Sequence, residues 1–393
     1  MDPYIDSSAL DANHPLTSRK LQNLVRANVS HASRDQIVDA WPSKITLQTT
    51  DACNLDCPHC QIPRSRKTPR MDRTVLDAVV RELFPTLIEL HPTNVGEPFA
   101  WPLFRELCLQ MEKHGVLLDL TTNGTLLDDA RIDWIAPIAR DVKVSMDGAQ
   151  KETFERLRRG AQFDAVCANV RALVNRLAAV TIRRPIVALQ MTLMRSNVCE
   201  LPALVELAAA LGVPRVRAYH LFSFSVDMDA EAIVAEPTLW QPVADRAQEL
   251  ALRLGVQLQI AEPAAQTTEA VLQRIACHLP WHEAWIDYDG AVLPCHSHGG
   301  DQAGNIMQTD FSEIWNGPLY QRIRRGFAED RPSWHCDGCG MCYRRLNRST
   351  AMAVPYDAEN FLSTAPPRAA TSCRSAGAGA CVRSILQAVA DAP

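Results

Sequence analysis

KITLQTTDACNLDCPHC, residues 44–60, carries two signals in one stretch. Lys44–Thr50 alternates apolar and polar side chains, the period of a half-buried strand. The strand delivers the chain to Cys53, Cys57 and Cys60, three thiols on one loop. A zinc loop wants four closed ligands, and an ordinary [4Fe–4S] cluster wants four cysteines. Three thiolates with no fourth cysteine nearby leave one iron of a cubane without a protein ligand, and an open iron is a substrate site. A zinc loop or three unligated thiols are the blander readings of the same residues.

The rest of the composition narrows the setting. A chain of 393 residues, 47% hydrophobic and 22% charged, suits a globular protein of two or three domains. A net charge of −5 provides no global basic field, so neither nucleic acid nor anionic lipid is an expected partner. No apolar run reaches the ~18 residues of a membrane span. The opening MDPYIDSSALDANHPL lacks the basic and apolar regions of a signal peptide, so a cytoplasmic location is expected. In that reducing compartment the 13 cysteines are poor disulfide candidates and good metal-ligand candidates. They gather at two places: the triplet above, and a later group of Cys277, Cys295, Cys336, Cys339 and Cys342.

Outward from the triplet, apolar periodicity predicts a helical lead-in at 14–40 and helices at 72–83, 102–114, 127–138, 164–178 and 200–211. Strands are predicted at 86–90, 116–120, 141–146, 185–192 and 216–219. Strands and helices alternating at this spacing imply an α/β fold with a parallel sheet. About six such units fall in residues 45–225, too few for a full eight-fold barrel, so the expectation is a partial (β/α)6 TIM-like barrel. Polar, glycine-containing loops follow the strands, at the face where parallel barrels place active sites. A further helix at 236–255 and strand at 256–260 read as a connection. From 277 on, short strands and turns replace helices, with Asp289-Gly290 a strong hairpin signal. This outlines a helical extension over 1–44, a barrel over 45–235, a connection over 236–276, a small α+β domain over 277–348 and a loosely ordered tail over 349–393.

The Cys-x3-Cys-x2-Cys triplet and the post-strand loops resemble the radical S-adenosylmethionine (radical SAM) superfamily. His59 stands before the third cysteine, where that family usually has an aromatic residue or histidine. Val95-Gly96-Glu97-Pro98 matches the family's Gly-Gly-Glu-like motif with its first glycine replaced, and the resemblance assigns Glu97 to the methionyl ammonium. Thr121-Thr122-Asn123-Gly124 and Ser145-Met146-Asp147-Gly148 resemble the loops after the third and fourth strands, which assigns Asn123, Ser145 and Asp147 to SAM. Arg158 stands where related enzymes aim an arginine at the SAM carboxylate. The implied chemistry is reductive cleavage of SAM to a 5′-deoxyadenosyl radical that abstracts hydrogen from a substrate carbon.

Cys277-x12-Gly290-x4-Cys295 followed by Cys336, Cys339 and Cys342 resembles the SPASM/twitch domain appended to many radical SAM enzymes. The full SPASM pattern has seven cysteines and CX2CX5CX3C spacing; here the spacing is CX2CX2C. One auxiliary [4Fe–4S] cluster on Cys277, Cys295, Cys336 and Cys339 is therefore expected, with Cys342 a substitute ligand or free. Two auxiliary clusters, or a zinc site, are the alternatives. Cys373 and Cys381 lie in the tail.

Related enzymes include sulfatase-maturing enzymes, peptide-crosslinking maturases and an aminocyclitol dehydrogenase. The single auxiliary cluster leans toward net oxidation of a sugar- or cyclitol-like metabolite in natural-product biosynthesis. Only about 44 residues precede the first strand, short of the N-terminal peptide-recognition domain of many maturases, so radical modification of a peptide or protein side chain stands second. A non-catalytic iron–sulfur redox sensor stands third, disfavoured because a sensor needs no SAM pocket. Arg64, Arg66, Lys67 and Arg70 form a basic loop that is either solvated or docks an acidic flavodoxin- or ferredoxin-type reductant. Cys108 and Cys167 read as core thiols, Cys199 as a remote candidate hydrogen donor, and His220 and Asp227 as candidate bases facing the active end.

Overall fold

Ile45 and Leu47 are fully buried, and their alternation with Lys44 and Thr46 makes Lys44–Leu47 a strand with one apolar face. In the computed structural model, which describes residues 17–61, 68–179, 186–223, 225–261, 277–295 and 301–329, this strand, β1, organises everything else. The sheet continues through β2 (Glu89–His91), β3 (Leu117–Thr122), β4 (Ala139–Ser145), β5 (Ile186–Leu193) and β6 (Arg215–His220), each parallel to its predecessor. Helices α1 (Ser18–Ser33), α2 (Arg73–Leu83), α3 (Phe104–His114), α4 (Asp129–Ile135), α5 (Lys151–Leu157), α6 (Phe163–Ala178) and α7 (Leu201–Leu211) come before and between these strands. Asp72 opens α2 as its N-cap, accepting from the Val75 amide.

The parallel series extends beyond the six expected units. After the short α8 (Val226–Asp229) and the long α9 (Pro237–Leu254), β7 (Gln257–Ile260) adds to β6 in parallel. A stretch that periodicity reads as a connection thus lengthens the sheet. At the opposite edge, α10 (Leu279–His282) leads into β8 (Glu283–Ile286), which pairs in parallel with β1. The Asp289-Gly290 turn is present, with Gly290 at φ 86°, and joins β8 to antiparallel β9 (Ala291–Leu293). β10 (Gly304–Asn305) completes, among the described residues, a ten-stranded sheet of order β10-β9-β8-β1-β2-β3-β4-β5-β6-β7. Two helices, α11 (Phe311–Trp315) and α12 (Pro318–Ala328), pack beneath it.

The two faces of the sheet differ in chemistry. Leu90, Leu118, Leu120, Val142, Val144, Leu189 and Val216 are fully buried toward the helices. The alternate positions carry charge: Lys44 lies 2.8 Å from Glu89 and 2.9 Å from Asp119, Arg217 lies 3.0 Å from Asp141, and Lys143 pairs with Asp119. Charges taken from water need partners, and here strands one or two places away in the sheet supply them. No helix among the described residues is long and apolar enough to cross a membrane. The tail, Cys336, Cys339, Cys342, Cys373, Cys381, and the basic residues Arg64, Arg66 and Lys67 lie outside the described residues.

Candidate active site

Every loop that the motifs pick out leaves the C-terminal end of a strand, so parallel pairing alone brings them to one face. Gln48, the residue after β1, organises the first two. Its Nε2 faces Thr50 O at 2.9 Å, Asp51 Oδ1 at 2.8 Å and Val95 O at 3.0 Å, while its Oε1 accepts from Asn94 N at 3.0 Å and Val95 N at 3.3 Å. One carboxamide therefore ties the cysteine loop to the loop after β2. Gly96 then runs against the cysteine loop at φ 89°, where a Cβ would meet Thr50 O at 2.5 Å. Val95, which replaces the first glycine of the motif, is not among the positive-φ residues, so the substitution carries no backbone penalty.

Glu97 follows, its amide donating to Ala52 O at 2.8 Å. The carboxylate is almost fully buried and accepts from Thr122 Oγ1 at 2.7 Å and Asn123 N at 2.8 Å. Burial raises Glu97 to about 7, with the two donors and the charge of Arg158 pulling the other way. Asn123 turns its own amide to the cysteine loop, donating to Asn54 Oδ1 at 2.9 Å and approaching Cys53 Sγ at 3.8 Å.

Ser145 ends β4 and is buried. Asp147, two residues on, is entirely buried, with one hydrogen-bond donor and two ion-pair partners. Its Oδ1 accepts from Thr192 N at 2.7 Å, and its Oδ2 lies 2.6 Å from Arg158 Nε and 3.1 Å from His59 Nε2. Burial would raise its carboxyl, but Arg158 and His59 outweigh that and hold it at about 2. Arg158, the residue that closes α5, also donates to Cys57 Sγ at 3.8 Å. Asp147 and Arg158 thus engage each other and the cysteine loop, whereas the resemblance directs both at SAM. The turn after α5 adds a backbone bond, Asp56 N to Arg159 O at 2.9 Å.

The donor set fits a cubane with one open iron. Among the described residues no three His, Cys, Asp or Glu side chains converge as a single-ion site. A cubane instead takes one thiolate per iron and needs three spaced sulfurs. Burial raises Cys57 to about 11, the charges of Cys53 and Cys60 add to that rise, and Arg158 pulls it back. Binding iron removes those thiol protons. His59, the loop's own histidine, has Nε2 committed to Asp147. In the auxiliary region, half-buried Cys277 and Cys295 flank the α10–β8–β9 segment.

The remaining candidates separate. Cys108 is buried on α3, Cys167 is half-buried on α6, and Cys199 is exposed in the turn before α7. His220 does not face the active end: its ring packs edge-on against Trp240 of α9, 4.7 Å between centroids, because it occupies the helix-facing phase of β6. Arg70 is exposed beside the cysteine loop, bridged through its backbone to Thr50. Gln48, Thr192 and Asn197 were not singled out by the sequence. Asn197 donates to Asp147 O and Thr192 O, each at 2.9 Å.

Two family models match the chain: the radical SAM superfamily over residues 47–208, and the SPASM iron–sulfur cluster-binding domain over 277–343. The chain is 25% identical over 337 residues to PqqA peptide cyclase of Gluconobacter oxydans, covering 81% of this chain and 89% of that protein. It is 29% identical over 328 residues to the mycofactocin maturase MftC of Mycobacterium tuberculosis, covering 76% of each. In fold it is similar to the crystal structure of Streptococcus suis SuiB bound to S-adenosylmethionine, with a TM-score of 0.60, 14% identity, and coverage of 77% and 72% of the two chains. The cofactors are therefore SAM, a [4Fe–4S] cluster and auxiliary iron–sulfur chemistry, and the chain is a radical SAM superfamily enzyme with a C-terminal SPASM domain.

Proposed function

We propose that this enzyme modifies a peptide, abstracting hydrogen from a side-chain or backbone carbon to crosslink, oxidise or epimerise it. The observation that carries this reading is the similarity, over three quarters or more of both chains, to proteins named as a peptide cyclase and a maturase. It favours the peptide reading over the sugar or cyclitol oxidation that the cysteine count alone suggested.

Cys53, Cys57 and Cys60 would hold the SAM-binding cluster, which when reduced supplies the 5′-deoxyadenosyl radical from SAM. Glu97 would accept the methionyl ammonium, a charge-assisted bond that a buried carboxylate makes strong. Asn123 and Ser145 line the same end. The buried, ion-paired face of the sheet keeps water and stray hydrogen donors from a radical. Cys277, Cys295, Cys336 and Cys339 would hold one auxiliary [4Fe–4S] cluster, with Cys342 in reserve, able to accept an electron when the product is oxidised. A flavodoxin- or ferredoxin-type protein would supply electrons in the cytoplasm.

The test is anaerobic reconstitution followed by incubation with SAM, dithionite and, in turn, any short peptide encoded by a neighbouring gene or a sugar or cyclitol. The expected result is 5′-deoxyadenosine and a peptide changed in mass or retention, with Cys57→Ala abolishing both. Turnover of a sugar or cyclitol with every peptide unchanged would overturn the reading.

A further inference from the structure

The resemblance assigns Asp147 and Arg158 to SAM, but their placement supports a different task. Asp147 is completely buried, and the residues around it come from three directions: His59 from the cysteine loop, Arg158 from the end of α5, and the Thr192 amide from β5. His59 immediately precedes Cys60, and Arg158 reaches the sulfur of Cys57 at 3.8 Å. One carboxylate therefore holds the neighbour of one thiol and the hydrogen-bond donor of another. The same end of α5 grips the loop through its backbone, Arg159 O accepting from Asp56 N at 2.9 Å. Asn197, donating to Asp147 O at 2.9 Å, fixes the turn from behind.

We propose that Asp147 is a positioning residue for the cysteine loop, and that the Asp147–Arg158 pair sets both the retention and the reduction potential of the cluster that loop carries. The proposal rests on the reading of Cys53, Cys57 and Cys60 as cluster ligands. The physical basis is that hydrogen bonds and positive charge at a thiolate stabilise the reduced, more negative cluster and so raise its potential. Asp147 fixes the guanidinium in place, its Oδ2 lying 2.6 Å from Arg158 Nε. The same buried pair resists splaying of the loop when iron is absent, so cluster insertion meets a preformed site.

The experiment is an EPR-monitored redox titration of the reconstituted full-length enzyme without SAM, comparing wild type with R158Q, R158K and the charge-neutral pair R158M/D147N. At the wild-type midpoint, the reduced-to-oxidised ratio of the N-terminal cluster should fall about fivefold in R158Q and in the pair, with R158K between them and wild type. The pair removes both buried charges together, so the measurement survives if R158Q is too unstable because it strands Asp147. In D147N, iron should be lost to a chelator faster than in wild type. If every variant titrates and retains iron as wild type does while SAM affinity alone weakens, Arg158 serves only the SAM carboxylate and the proposal is wrong. If wild type itself assembles no N-terminal cluster, the reading of the three cysteines fails, and this proposal with it.

Discussion

Glu97 and Asp147 are both fully buried carboxylates, yet their surroundings push them in opposite directions. Glu97 is raised to about 7 because burial outweighs its neutral donors. A proton and the SAM ammonium therefore compete for it, so SAM should bind more weakly as pH falls below about 7. In E97Q that pH dependence should vanish, and affinity above that pH should drop about tenfold or more, measurable by equilibrium binding. Asp147 is held at about 2, below its ordinary 3.8, by Arg158 and His59. Its contribution to folding is thus fully present above about 4 and lost as pH falls through about 2. Chemical denaturation should find D147N less stable than wild type by on the order of 2 kcal/mol at neutral pH, with the gap closing in that acid window. The ligand candidates at this scale were legible because the motif spacing exposes them. Gln48 was not, because its partners are backbone atoms of a loop that only β1–β2 pairing brings alongside.

Loops after parallel strands become a site only if they approach one another closely, and Gly96 is where that approach is tightest. A methyl there would meet the Thr50 carbonyl oxygen at 2.5 Å on a backbone with φ 89°. Gly96→Ala should cost roughly 2 kcal/mol and displace the cysteine loop, seen as a lower melting temperature and reduced iron uptake. Gly255→Ala, also at positive φ but with nothing within 4 Å, is the control that isolates the backbone penalty from the clash. Most strands and helices were predictable within a residue or two, since their apolar periods are strong. The seven-residue α5 escaped notice because Lys151–Leu157 offers barely two turns of pattern. β7 was visible as a strand, but its partner was not, because pairing across a sheet leaves no trace in local periodicity.

For the molecule as a whole, the decisive contact is the ladder between β1 and β8, with Lys44–Leu47 in register with Glu283–Ile286. The sequence texture changes at residue 277, which invites a cut there, but the strand that follows completes the barrel's own edge. A chain ending at residue 276 should expose β1 as an unpaired apolar edge and aggregate, which light scattering would detect. Cys336→Ala in the full chain should instead remain folded and lower iron from about eight to about four atoms, as expected for one auxiliary cubane. β1 ends at the cysteine loop, and β8 belongs to the segment that carries Cys277 and Cys295. Side-by-side strands cannot slide without breaking their amide ladder. Whatever charge passes between the two ends of this enzyme during turnover must therefore cross a gap whose length is a constant of the fold, like the fixed spacing of electrodes in a cell.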